Sequence, residues 1–218
     1  MPAPLFIDHT LVDPRVQAQI IARCQVARVP DEPTSVANDL GMLNLPDGTS
    51  KRVWLVHAAD TVLLDEYNQV ALITRRHNPG RGKLALPGGL LDATPYGLES
   101  SLTAALREAV EETGISQAVL KQAQITQLGR RRSLRPFDIR RAWSNLPGTP
   151  VREGDLFSVS TLGFCARLHG RLQDIAFKAG DDAVTVCILR VNEITPDSLA
   201  VPDHMALIQA ALAAEHLK

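Results

Sequence analysis

The sequence predicts an α/β fold of the α+β kind, with a mixed β-sheet sandwiched between helices. Two observations carry this expectation. Short runs rich in Val, Leu and Ile interleave with helical-period segments, and no regular strand-helix-strand rhythm of a doubly wound sheet is present. Near the middle of the chain, one helical segment is strongly amphipathic and gathers its carboxylates on one face. A length of 218 residues suits one domain with an appendage.

The elements follow in order. Asp13 to Val26 carries Val16, Ile20, Ile21 and Cys24 at helical spacing and reads as a short helix. Pro30 to Ser50 is rich in Pro, Asp, Asn and Gly and reads as irregular. Residues 1–50 are therefore expected to form an N-terminal extension serving packing or dimerisation, and residues 51–218 the main domain. Arg52 to His57, Thr61 to Leu64 and Gln69 to Thr74 read as strands, with Asp65 to Asn68 as a turn. A loop from His77 to Lys83 leads into Leu84-Ala85-Leu86-Pro87-Gly88-Gly89. The acidic helix ends at Gly114, placed as a C-terminal cap. Ala118 to Leu128 fits either strand or helix. Phe157 to Ala166 and Ala183 to Val191 read as strands. Asp203 to Leu217, with Met205, Ile208 and Leu212, reads as a closing helix capped by Asp203.

The acidic helix carries the chemistry. In Arg107-Glu108-Ala109-Val110-Glu111-Glu112, Glu108 lies one turn from both Glu111 and Glu112, and Arg107 lies one turn from Glu111. Leu102, Leu106 and Val110 occupy the opposite side, which is expected to be core. Two charges ~6 Å apart repel by roughly 3 kcal/mol at an effective dielectric of ~20, so three clustered carboxylates call for a cation. A solvated face would intersperse Lys four residues on, but Glu108 is followed at that spacing by Glu112 and Glu111 by Ile115. Gly88 and Gly89 let the backbone pass close, and a bare carbonyl there can join carboxylates around a hard ion such as Mg²⁺. The combination describes a site that handles phosphoryl groups.

With Gly89, Glu99, Gly114 and Ile115 added, these residues resemble the Nudix box of the Nudix hydrolases. That pattern runs Gly, five residues, Glu, seven residues, Arg-Glu, an aliphatic, any residue, Glu-Glu, any residue, Gly and an aliphatic. From Glu99 onward every fixed position matches, with seven residues before Arg107 and Ala109 as the small aliphatic. The first half departs: five residues would place the glycine at Ala93, and Gly89 stands four residues upstream. We read an insertion around Ala93, Thr94, Pro95 and Tyr96, which is thermodynamically cheap in a loop. Further on, Gly180-Asp181-Asp182-Ala183 before a strand and Asp203-His204 opening the last helix are similar to Nudix domains acting on ADP-ribose, including those fused to nicotinamide mononucleotide adenylyltransferases.

The resemblance implies an enzyme requiring Mg²⁺ or Mn²⁺ that hydrolyses a nucleoside diphosphate linked to another moiety. ADP-ribose, giving AMP and ribose 5-phosphate, is the expected substrate. The metal set is Glu108, Glu111, Glu112 and Gly88, with Arg107 orienting a glutamate. The general base is left among Glu112, Glu108 and a loop acid, Asp182. Asp181 and Asp182 equally fit an Asx turn before a strand. Arg75 and Arg76, fixed by a strand end, and Arg132 and Arg135 are the expected phosphate contacts. The segment holding Arg130, Arg131, Arg132, Arg135, Arg140 and Arg141 with Phe137 and Trp143 reads equally as a solvated loop, and less well as an RNA surface. Two rivals are a nucleoside triphosphate pyrophosphohydrolase using the same helix, and a non-catalytic ADP-ribose sensor. The sensor is disfavoured by the intact glutamates and by the short stretch after the last predicted strand. A homodimer is implied by resemblance alone.

Composition adds exclusions. A net charge of −1 gives no global attraction to nucleic acid or membrane. Three scattered cysteines, Cys24, Cys165 and Cys187, suggest neither a disulfide framework nor a zinc site. No leader pattern and no apolar run of ~18 residues is present, so a cytoplasmic protein is expected.

Overall fold

The computed structural model describes residues 13–78, 80–132, 140–141, 145–146 and 148–214, with the backbone alone at 132, 140 and 141. In chain order the elements are α1 (Pro14–Val26), β1 (Ala37–Asn44), β2 (Ser50–Leu64), β3 (Gln69–Arg75), β4 (Leu84–Ala85), β5 (Gly88–Leu90), β6 (Ala93–Thr94) and β7 (Gly97–Leu98). There follow α2 (Ser101–Thr113), α3 (Gln117–Gln122), β8 (Gln124–Arg132), β9 (Arg140–Arg141), β10 (Leu156–Arg167), β11 (Ala183–Arg190) and α4 (His204–Ala213). The main sheet runs β11-β3-β2-β10-β8, with β1 and β5 also on β2, β4 on β3 and β9 on β10. This is the α/β arrangement that the sequence predicts. Among the described residues no helix is long and apolar enough to cross a membrane.

The chain divides into two compact units. The first takes residues from 1–58, 90–101 and 131–161. Here α1 starts at Asp13, whose carboxylate accepts the Arg15 N–H at 2.7 Å, with Pro14 preset at the first helical position. Its apolar side, Val16, Ile20 and Cys24, packs with Leu43, Val53, Leu55 and Leu156. The stretch Pro30 to Ser50 is not wholly irregular, because β1 lies within it and pairs antiparallel with β2 from Ala37↔Val56 to Asn44↔Ser50. A register shift between Asp39 and Met42, with Gly41 at φ +82°, breaks the alternation by which a strand is read. The inserted residues form their own small hairpin, Ala93↔Leu98 and Thr94↔Gly97, with Tyr96 fully exposed at its tip.

The second unit takes 59–89, 102–130 and 162–218. β3 is its centre, paired antiparallel with β11 from Gln69↔Arg190 to Ala183↔Arg75 and with β2 through Leu63↔Ala71 and Leu64↔Val70. The expected turn is present: the Asp65 carboxylate accepts the N–H groups of Tyr67 and Gln69, and Asn68 sits at φ +57°. Arg52 to His57 and Thr61 to Leu64 belong to one strand, β2. From Leu55 onward its residues are buried without alternation, so nothing in the pattern marks continuity. The ambiguous Ala118 to Leu128 is both things in turn, α3 capped by Ser116 and then β8. Asp203 stands before α4, but its backbone is already helical (φ −68°, ψ −14°) and its side chain makes no capping bond.

Among the described residues, two larger apolar clusters and a smaller one of Ile73, Ala85 and Ala183 hold this unit. One of the larger joins Val62, Leu64, Val70, Leu72 and Leu86 to Leu207, Ile208 and Ala211 of α4. The other larger one joins Leu63, Ala71, Ala109, Ile115, Leu120 and Ala166. The core side of α2 differs from expectation: Ala104, Ala105 and Ala109 are fully buried, whereas Leu106 and Val110 are only partly so. Alanines let the helix approach closely, and that turns its acidic side inward.

Candidate active site

The box glutamates do not form a solvated face. Glu112 is 2% exposed, the Glu108 side chain is 13% exposed, and only Glu111, at 45%, faces water. What covers the first two is the glycine bend after β4. Gly88 donates its N–H to Glu112 Oε2 at 2.9 Å, and a Cβ on Gly89 would overlap the Glu108 carboxylate. No larger residue fits either position without moving an acid or the strand behind it.

Burial sets the electrostatics. The Glu112 carboxyl is pushed up to about 8, chiefly by desolvation. The Gly88 hydrogen bond opposes this, Glu108 adds to it, Arg75 opposes it and Asp60 adds to it. Glu108 rises to about 7, again chiefly by desolvation, which Arg107 partly offsets while Glu111 and Asp181 add repulsion. Arg107 Nη1 donates to Glu108 Oε1 at 2.8 Å and to Glu111 Oε2 at 2.9 Å, spanning two of the three acids.

The other sequence-selected residues fall around this centre. Arg75 ends β3 and its charge reaches Glu112. Arg76 donates from Nη2 to Ala183 O and from its N–H to Asp182 O, both at 2.8 Å, and so pins the loop 180–183. The Asp182 carboxylate lies 3.8 Å from His77 Nε2, while Asp181, at φ +42°, is the loop acid whose charge acts on Glu108. Gly180 and Lys178 donate their N–H groups to Glu112 O and Thr113 O, tying the same loop to the end of α2. The Arg132 side chain and all of Arg135 lie outside the described residues.

Sequence reasoning missed one pair. Asp60 Oδ2 lies 3.1 Å from His204 Nε2, and His204 Nδ1 accepts the Leu86 N–H at 3.1 Å. Asp60 also crowds the bend, since a Cβ on Gly88 would overlap its Oδ1. The available signal was an aspartate inside Val53 to Leu64, a run apolar except for His57, Asp60 and Thr61, where an unpaired acid is rarely tolerated.

The donor chemistry suits a hard divalent ion. Carboxylate oxygens dominate, and burial raises the pKa of two of the acids, a cost that positive charge would offset. Among the described residues, no three His, Cys, Asp or Glu side chains already converge on one cation position. Arg107 and the Gly88 N–H engage one oxygen each of Glu108, Glu111 and Glu112.

Comparison with known proteins agrees with this fold. The chain resembles a bifunctional NMN adenylyltransferase/ADP ribose pyrophosphatase from Francisella tularensis, solved with AMP and a Mn ion, at 21% identity and a TM-score of 0.50. That match covers 73% of this chain and 41% of the other, so the chain spans well under half of that protein. The NUDIX domain of Shewanella oneidensis NrtR, solved with ADP ribose, matches at 20% identity and a TM-score of 0.50, covering 75% of this chain and 89% of that one. No curated protein matches by sequence. The family model of the NUDIX domain matches residues 54–204, a span that holds the glycine bend, the acidic helix and the loop 180–183, and the chain therefore belongs to the Nudix family.

Proposed function

We propose that the protein is a pyrophosphohydrolase that uses Mg²⁺ or Mn²⁺ to cleave a nucleoside diphosphate linked to another moiety, with ADP-ribose and water giving AMP and ribose 5-phosphate. One observation carries the reading. Glu108 and Glu112 are buried against Gly89 and Gly88, at a cost in stability that a cation would relieve. A bound divalent ion supplies charge neutralisation at the diphosphate and makes water more acidic.

The chain's residues take the following parts. Glu108, Glu111, Glu112 and the Gly88 backbone hold the ion. Arg107 orients Glu108 and Glu111, two of the acids that would hold the ion, by charge-assisted bonds. Arg75 and Arg76 meet the phosphates at the end of β3. Proton removal from water falls to Glu112, Glu108 or the 180–183 loop, through Asp182 or its neighbour Asp181. Residues 1–50, ahead of the stretch matched by the family model, are an addition suited to packing or to a homodimer. The ADP-ribose assignment is supported by the likeness, in fold, to two proteins described with ADP ribose or as ADP ribose pyrophosphatase.

The test is a turnover screen with Mg²⁺ over ADP-ribose, other sugar nucleotides, dinucleotides and nucleoside triphosphates. ADP-ribose should give the highest kcat/KM. Preference for triphosphates would assign a nucleotide pyrophosphohydrolase instead, and tight ADP-ribose binding without turnover would assign a sensor.

A further inference from the structure

Asp60 has more charge than its visible contacts need. It lies on β2 with its side chain almost wholly buried, beside Gly88 and close enough to Glu112 to repel it. Burying a carboxylate costs several kcal/mol unless its partners compensate, and a neutral Asn in its place would still accept one hydrogen bond. The partner is also specific. Because an N–H of Leu86 can only donate, His204 Nδ1 must be the unprotonated nitrogen, and the ring hydrogen sits on Nε2, aimed at Asp60 Oδ2. The histidine thus holds the acid with one edge and the Leu86 to Gly88 bend with the other. Leu207 and Ile208, one turn further along α4, anchor it in the apolar cluster that also contains Leu86.

We propose that Asp60 is a positioning acid of the candidate metal centre, oriented by His204, and that this pair sets the placement of Gly88 and Glu112 from the C-terminal helix. The inference rests on reading Glu108, Glu111 and Glu112 as the cation site. Asp60 adds a negative charge behind the ligands and crowds the bend at Gly88, where a Cβ would overlap its Oδ1. His204 keeps that carboxylate from swinging away. Partners placed behind metal ligands in this way typically change metal affinity by 10- to 100-fold when removed.

Mn²⁺ binding, followed by the electron paramagnetic resonance signal of the free ion, tests this without reference to turnover. The variants are Asp60→Asn, His204→Leu and His204→Gln, with Glu112→Gln as the site control and melting in EDTA measured for each. Both histidine variants lose the Leu86 partner and should melt lower. Only His204→Gln keeps an N–H donor near the Nε2 position, so its Mn²⁺ affinity should stay within about threefold of wild type. Asp60→Asn and His204→Leu should each bind about 10- to 100-fold more weakly. Affinity that follows melting temperature alone, with Gln and Leu equally weak, would overturn the proposal, as would Asp60→Asn binding like wild type. Should Asp60→Asn or His204→Leu fail to fold, the other decides. If Glu112→Gln also binds like wild type, it is the cation site itself that fails.

Discussion

Asp47 in one compact unit and Glu108 and Glu112 in the other are held in opposite ways. In the first, Asp47 is fully exposed and its carboxylate accepts the backbone N–H and hydroxyl of Thr49 at 2.9 and 2.7 Å, which hold its pKa below the ordinary value. In the second, Glu108 and Glu112 are buried and burial pushes both up. Asp47 is stabilising where it sits, whereas the two glutamates are destabilising once ionised. Buried acids with strongly shifted pKa values cluster at functional sites, and the contrast separates an acid that shapes a turn from acids that a cation at the proposed site would stabilise.

The largest expected effect lies at Glu112. Glu112→Gln keeps the shape and a polar group but not the charge, so metal-dependent kcat should fall by about 10² or more while the metal-free fold persists. Full turnover in that variant would remove Glu112 from the active site and erase the contrast with Asp47.

Next comes the pH dependence of the metal-free protein. A carboxyl whose folded pKa lies above its unfolded one, near 4.5, binds more protons in the folded state between the two values. Stability from these groups is therefore fullest below about pH 4.5 and is lost as pH rises toward about 7 for Glu108 and about 8 for Glu112. The loss is on the order of 3 kcal/mol for Glu108 and about 5 kcal/mol for Glu112. Melting in EDTA should fall between pH 5 and pH 8 by scales the thermal midpoint resolves easily, and saturating Mn²⁺ should flatten the fall. A flat profile in EDTA would mean that the two acids are solvated after all.

The glycines sharpen the comparison from the other side. A Cβ on Gly88 would meet Asp60 Oδ1, the Ala59 carbonyl and the Asp60 backbone, none of which can retreat, so Gly88→Ala should cost about 1–3 kcal/mol of stability. A Cβ on Gly89 meets only the end of the Glu108 side chain, which can swing away. Gly89→Ala should thus melt nearly as wild type but bind Mn²⁺ about tenfold more weakly. Equal melting losses in the two variants would show that the bend is rigid for reasons unrelated to the acids.

How much of this was legible follows from the range of the interactions involved. The Asp65 to Asn68 turn and the end of α2 at Gly114 are local events, written in neighbouring residues, and both are readable, whereas the segment around Ala93 to Tyr96 reads as a loop and its pairing into a hairpin does not show. The acidic triplet is readable too, since its spacing lies within one helix. β1 was hidden by the irregularity at Gly41, and the unity of β2 by a strand buried without alternation. The inward turn of the acids depends on which side of α2 packs, and alanines on the helix gave way to leucines in the reading because hydrophobicity was counted and closeness of approach was not. The Asp60 and His204 pair joins residues far apart in sequence, which no spacing rule reaches.

The smallest effect belongs to Asp47, and its sign is the point. A carboxyl whose folded pKa is lowered contributes stability above its unfolded pKa and loses it as pH falls through the folded value. Asp47→Ala should therefore lower the melting temperature slightly near neutrality, with the difference from wild type shrinking in strong acid. Glu112→Gln should do the reverse in EDTA, melting above wild type at pH 8 and converging with it near pH 5. Asp47→Ala should also leave Mn²⁺ affinity and turnover untouched, because its partners are confined to its own turn. Profiles of the same slope in the two variants would mean that burial and hydrogen bonding do not divide the chain's acids as the structure has them.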